Sequence, residues 1–206
     1  TSERTVEAGG KEITARRFVI ATGSSPLVPP IPGIEDVEVL TNETVFQLRD
    51  RPEHLLIVGG GPIGLEMAQA HLRLGSKVTV IEGAKALGKD DPELAAILLA
   101  KLRGEGVEIV EGAKAKRISA TGGITVHTEQ GDFTGSHLLM AVGRKVNLDR
   151  LDLDKAGVAH DGKGVTVTDR LRSTTNRRVY AIGDAAGGLQ FTHVAGYHAG
   201  VIIRPI

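Results

Sequence analysis

Four short apolar runs mark the chain, and each stops at a glycine: Phe18-Val19-Ile20-Ala21-Thr22-Gly23, Leu55-Leu56-Ile57-Val58-Gly59, Leu138-Leu139-Met140-Ala141-Val142-Gly143 and Val179-Tyr180-Ala181-Ile182-Gly183. Aliphatic and β-branched runs of this length predict strands buried on both faces, as in a parallel sheet, although periodicity alone also fits short buried helices. A glycine directly after such a strand lets a bound group approach the backbone closely. Ligands of open α/β sheets sit at the carboxyl ends of strands, so four such ends predict more than one ligand edge.

The intervening segments are also patterned. Thr5 to Ala15 alternates about Gly9-Gly10 and predicts a tight hairpin. Pro26, Pro29, Pro30 and Pro32 impose an extended connector, followed by a short helix near Glu43 to Leu48 capped by Thr41 or Asn42. Leu55 to Glu82 reads as strand, Gly-rich turn, helix and strand. A second helix starts at Pro92 after Asp90-Asp91 and runs through Leu102 to a stop at Gly104/Gly106, with Leu94, Ile97, Leu98 and Leu102 as its apolar face. Strands at Val107 to Val110, Lys116 to Ala120 and Ile124 to Thr128, with turns at Gly122-Gly123 and Gln130-Gly131-Asp132, predict a meander. A strand near Val165 to Val167 and a helix beginning near Thr192 complete the reading.

Composition then removes function classes. Hydrophobic residues make up 41 % and 25 Lys+Arg balance 25 Asp+Glu, so the chain can bury a core and carries no electrostatic footprint for nucleic acid or anionic lipid. No apolar run reaches the ~18 residues of a membrane span and no basic-then-apolar leader opens the chain, which predicts a cytoplasmic protein without membrane attachment. The absence of Cys removes disulfides, thiolate metal sites and thiol nucleophiles from these residues. The seven histidines stand singly, or five apart at His193 and His198, and predict no metal site. Glycine, at 27 of 206 residues, is nearly twice its usual share of about 7%.

The sharpest motif is Gly59-Gly60-Gly61-Pro62-Ile63-Gly64, a Gly-x-Gly-x-x-Gly between a strand and an amphipathic helix carrying Leu65, Ala68 and Leu72. The first Gly allows the tight turn, the second admits a pyrophosphate to the backbone, and the third lets helix pack on strand. A helix N-terminus adds unpaired N–H donors for a diphosphate. The helix closes at Gly75, the next strand is Lys77 to Ile81, and Glu82 ends it 23 residues after Gly59. A carboxylate there accepts both ribose hydroxyls of an adenosine and repels a 2′-phosphate, so NAD(H) is expected over NADP(H), with Lys85 the one dissenting residue.

Ala-Thr-Gly-Ser-Ser-Pro (21 to 26), Gly-Gly-Gly-Pro-Ile-Gly-Leu-Glu (59 to 66), Ala-Val-Gly-Arg-Lys-Val-Asn (141 to 147) and Val-Tyr-Ala-Ile-Gly-Asp-Ala-Ala (179 to 186) together resemble the flavoprotein pyridine nucleotide-disulfide oxidoreductases, with phrasing nearest to mercuric-reductase-like members. The resemblance implies an α/β fold in which a Rossmann-like NAD-binding domain is inserted in the closing part of a split FAD-binding domain. The implied division is 1–40 as part of the FAD domain and connector, 41–147 as the NAD domain, and 148–206 as the FAD-domain return. It implies that Gly59, Gly61, Pro62, Ile63, Gly64, Glu66, Glu82 and Gly143 serve NAD, with Glu66 facing nicotinamide and flavin. It implies that Thr22, Gly23, Gly183, Asp184 and Ala195 serve FAD, with Asp184 accepting from the ribityl chain. Arg144 and Asn147 fit either ligand contact or a brace at the domain junction.

That family also carries an N-terminal Gly-rich loop, a redox Cys pair and a C-terminal dimerisation domain with a catalytic His and Glu. None is in this sequence, so no catalytic residue is assigned in this chain and it is expected to be a fragment of a longer, homodimeric flavoenzyme with an unknown electron acceptor. Alone it is expected to lack disulfide reduction and to bind FAD weakly or not at all. A flavin NADH oxidase or ferredoxin reductase relative without a disulfide, a non-enzymatic dinucleotide module, and a Rossmann dehydrogenase with its own substrate domain stand as alternatives.

Overall fold

The computed structural model describes residues 4–203. In chain order it forms β1 (Thr5–Ala8), β2 (Lys11–Thr14), β3 (Phe18–Ile20), β4 (Ser24–Pro26), β5 (Val39–Leu40), β6 (His54–Val58), α1 (Pro62–Arg73), β7 (Lys77–Ile81), α2 (Pro92–Glu105) and β8 (Glu108–Val110). There follow β9 (Arg117–Ser119), β10 (Ile124–Thr128), β11 (Gly131–Gly135), β12 (His137–Met140), β13 (Arg144–Val146), β14 (His160–Asp161), β15 (Gly164–Val165), β16 (Val179–Ala181) and α3 (Thr192–Ile203). The chain divides into two compact units, Pro26–Gly143 and the flanks up to Ser25 and from Arg144 on.

The Pro26–Gly143 unit is built on a five-stranded parallel sheet of order β5-β12-β6-β7-β8. Successive side chains of a strand point to opposite faces. Leu55 and Ile57 of β6 therefore join Val78, Val80 and Leu139 beneath α1 and α2, while Leu56 and Val58 join Ile81, Leu138 and Met140 beneath the β9–β11 meander. With both faces covered, Leu55 to Val58 of β6 are apolar at every position, which explains why the run is unbroken rather than alternating. The Asp91 side chain accepts from the Glu93 and Leu94 amides at 3.0 and 3.1 Å to cap α2, and Gly106 at φ 113° ends it.

The flanking unit pairs β3 with β16 in parallel and stands the β1–β2 hairpin on Gly9-Gly10. Phe18 and Ile20 pack with Val146, Leu153, Val158 and Val179. Val19, on the other face of β3, is 43 % exposed, so this run is covered on one face only among the described residues.

The compact unit runs from Pro26 to Gly143, beside the expected domain span of 41–147. The proline connector packs in it because Ile31, Ile34, Val37 and Val39 lie on the meander-side core and β5 hydrogen-bonds to β12. Three expectations of individual elements need correction. Helix α2 buries Ala95, Leu99 and Leu102, while Leu94, Ile97 and Leu98 of the expected face are 68, 69 and 43 % exposed. The helix is apolar almost all round, so two stripes matched the helical period, and the one with a small residue at 95 lets the helix sit closer to the sheet. The expected helix near Glu43 is only a 3₁₀ turn, Val45–Gln47. Thr41 and Thr44 spend their hydroxyls on local amides there, an alternative to helix continuation. The strand expected at Val165 to Val167 is the two-residue β15, with Val167 in an isolated bridge to Ser173.

Candidate functional site

At the carboxyl end of the parallel sheet lies a cleft of about 860 Å³, lined among others by Gly59, Gly61, Pro62, Ile63, Glu82 and Gly143. Four of the sequence's strand-ending glycines adopt backbone that other residues resist: φ is 65° at Gly23, 115° at Gly59, 134° at Gly143 and 58° at Gly183. A Cβ on Gly59 would lie 2.4 Å from the Ala141 carbonyl oxygen, and one on Gly64 would lie 2.0 Å from the Gly59 carbonyl oxygen. Gly64 thus lets α1 dock on β6 and stays buried behind the cleft. Gly61, the N-cap of α1, is different: its φ of −78° suits any residue, and nothing lies within 4 Å of the Cβ position. That open space borders the cleft. Ile63 and Gly64 lie in the first turn of α1, where amides have no acceptor within the helix, so the loop offers both room and donors for an anion.

Glu82 follows β7 and is already aimed. The Gly60 amide donates to its Oε2 at 2.7 Å and the Ala84 amide to its Oε1 at 2.8 Å. Each carboxylate oxygen keeps lone-pair capacity for a further donor, such as a ribose hydroxyl. Glu66 is placed elsewhere: it is exposed on α1 and borders a groove with Gln69, Leu94 and Leu98 rather than the cleft. Lys114 enters the cleft unannounced by any motif, with its stem against Gly83, and Lys85 and Lys89 line the same side.

The flanking unit assembles the other predicted residues. The Asn147 amide donates to the Gly23 carbonyl at 2.9 Å and its side-chain amide to the Thr22 carbonyl at 3.2 Å. Asp184 lies on a 3₁₀ turn, Gly183–Ala186, directly after β16. Ala195 on α3 packs against Gly183, whose Cβ position is 3.2 Å from the Ala195 Cβ, and the Gly183 amide donates to His198 Nδ1 at 3.2 Å. Ser24 Oγ donates to Asp184 Oδ2 at 2.5 Å and accepts from Arg144 Nε at 2.7 Å. The sequence assigned neither bond: Ser24 entered only within the 21–26 motif and His198 only as a histidine without metal-ligand spacing, because neither contact is marked by spacing. Arg144 and Asn147 both bond within this unit. Among the described residues no group of three or more His, Asp or Glu could hold a metal ion, and no helix is long and apolar enough to cross a membrane.

A family model described as pyridine nucleotide-disulphide oxidoreductase matches residues 1–199. The chain belongs to this family. Within the pyridine nucleotide-disulphide oxidoreductases it is 39 % identical over 209 residues to a mercuric reductase of Bacillus cereus, covering 98 % of this chain and 33 % of that protein. It is 37 % identical over 190 residues to the probable pyridine nucleotide-disulfide oxidoreductase RclA of Escherichia coli, covering 91 % of this chain and 43 % of RclA. The solved structure of the HOCl-induced flavoprotein disulfide reductase RclA from Escherichia coli superposes with a TM-score of 0.93 at 33 % identity, over 100 % of this chain and 48 % of that one. These relatives are oxidoreductases, and this chain spans less than half the length of each. The expected α/β family fold is the observed one.

Proposed function

We propose that this chain supplies the nicotinamide-nucleotide-binding half of an FAD-dependent oxidoreductase that passes two electrons from NADH through FAD to a disulfide or similar acceptor. The observation that carries the reading is the cleft at the end of β6. There an open Gly61, the first-turn amides of α1 and the aimed carboxylate of Glu82 suit a diphosphate and an adenosine ribose. Gly143 lines the cleft without a side chain to obstruct a ligand. Glu82 favours NAD(H), since a second negative charge on the ribose would meet its carboxylate.

The residues of the flanking unit fit a flavin: Asp184 keeps Oδ1 without a hydrogen-bond partner among the described residues, and Gly23 leaves open space at its backbone. FAD, when bound, supplies the two-electron acceptor. The protein's part is to orient it, with Asp184 accepting a ribityl hydroxyl and Thr22 and Gly23 beside its diphosphate. In this reading the protein is a cytoplasmic homodimer.

Anaerobic mixing of the full-length flavoprotein with NADH tests the reading. Rapid loss of the oxidised flavin's visible absorbance on mixing is expected, transient where the two electrons pass on to a disulfide, with NADPH slower. A protein that purifies without flavin, or whose flavin is untouched by either nucleotide, contradicts it.

A further inference from the structure

Resting on the reading of Asp184 as the ribityl acceptor, we propose that Arg144 and Ser24 are positioning residues for the flavin. They form a relay that fixes the Asp184 carboxylate in one orientation. The geometry leaves the relay a single direction. Arg144 Nε donates to Ser24 Oγ at 2.7 Å while another guanidinium nitrogen, Nη2, donates to the Ser24 carbonyl at 2.7 Å, so the planar fork grips one residue at two points. A hydroxyl has one proton to give. With its oxygen accepting from Arg144, the Ser24 hydroxyl turns its proton to Asp184 Oδ2, at 2.5 Å.

Donors aligned head to tail polarise one another, and the ion at the head strengthens the last bond. The Arg144 charge also stands 3.9 Å from Asp184 Oδ2, with both side chains only 19 % exposed, where water screens the pair less than at an open surface. One carboxylate oxygen is therefore committed to the protein and the other, Oδ1, is presented. Without the relay the carboxylate turns about its own bonds on a 3₁₀ turn that starts at a left-handed glycine, Gly183. The relay spans segments 120 and 160 residues apart in sequence, which is why no local pattern announces it.

The test is FAD and NADH affinity of the full-length protein as wild type, Ser24→Ala, Ser24→Thr and Arg144→Lys, with the flavin spectrum and thermal midpoint recorded for each. Losing the Ser24 bond is expected to weaken FAD about tenfold, the worth of one charge-assisted hydrogen bond. NADH affinity and the thermal midpoint stay near wild type, Thr restores FAD binding, and Arg144→Lys, which keeps charge but not the fork, weakens FAD as well. FAD affinity unchanged in Ser24→Ala overturns the relay. So does a parallel loss of FAD affinity, NADH affinity and midpoint that Thr does not repair, since that pattern marks a purely structural bond. A wild type that takes up no FAD overturns the flavoprotein reading beneath it, a separate outcome.

Discussion

Replacing Gly61 with Ala separates ligand binding from folding at the nucleotide loop. The backbone there, φ −78° and ψ 179°, is open to any residue, and the added methyl meets nothing within 4 Å. Stiffening the unfolded chain gains about 0.4–1 kcal/mol, while Ala caps a helix less well than Gly and returns an amount of the same order, up to about 1 kcal/mol. Net stability should therefore stay within about 1 kcal/mol of wild type. Binding should not be spared. The methyl stands in the space that a diphosphate must enter to reach the α1 amides, and losing one charged hydrogen bond costs about 1.5–3 kcal/mol, or roughly 10- to 150-fold in Kd. Titration with NADH, read by nucleotide fluorescence beside a thermal melt, measures both. Gly64→Ala is the contrasting variant: its Cβ would sit 2.0 Å from a backbone oxygen, so the melt itself should fall. If Gly61→Ala binds NADH like wild type, the open space beside Gly61 is not where the diphosphate goes.

Other outcomes follow from the same structure. Glu82→Ala removes the ribose acceptor and should weaken NADH about 10- to 100-fold while narrowing any preference over NADPH; equal losses for both nucleotides would show that the carboxylate does not discriminate. Leu99→Ala, at a site 7 % exposed, should cost about 2–5 kcal/mol in denaturant melts, whereas Ile97→Ala, at 69 %, should stay within about 0.5 kcal/mol. The reverse ranking would restore the helix face expected from the sequence. Burial holds the pKa values of His54 and His71 below the ordinary 6.5, helped by the Lys77 charge for His54 and by His137 for His71. The unfolded chain then takes up protons first as pH falls through about 6.5, so stability present above that value is lost on acidification down through the lowered folded pKa. Among the described residues His71 Nδ1 is buried without a hydrogen-bond partner, so His71→Leu should flatten that decline between about pH 7 and pH 5; an undiminished slope would place the proton uptake elsewhere.

Much of this was legible because several signals coincided at one place. The Leu55–Gly64 stretch carries a strand run, a turn glycine and a proline at the first helical position, and all three agree with the observed β6, loop and α1. The hairpin at Gly9-Gly10 and the meander about Gly131 were equally local. Reading failed where the deciding partner was distant. Two apolar stripes on α2 both satisfied the helical period, and only packing against β7 and its neighbours selects Ala95 and Leu99. The proline connector reads as a linker until β12 supplies β5 with a partner. Within the candidate site, Lys114 lies outside every motif and Ser24 sits in the 21–26 motif without a role marked by it, and only folding brings Lys114 beside Gly83 and Ser24 beside Asp184.

A crystal structure of the protein grown with saturating NADH tests the central claim most directly. The account predicts the dinucleotide in the cleft beyond β6, with its diphosphate against the Ile63 amide beside Gly61 and its adenosine ribose hydroxyls on Glu82. A nucleotide bound elsewhere, or a cleft left empty at saturation, would contradict it.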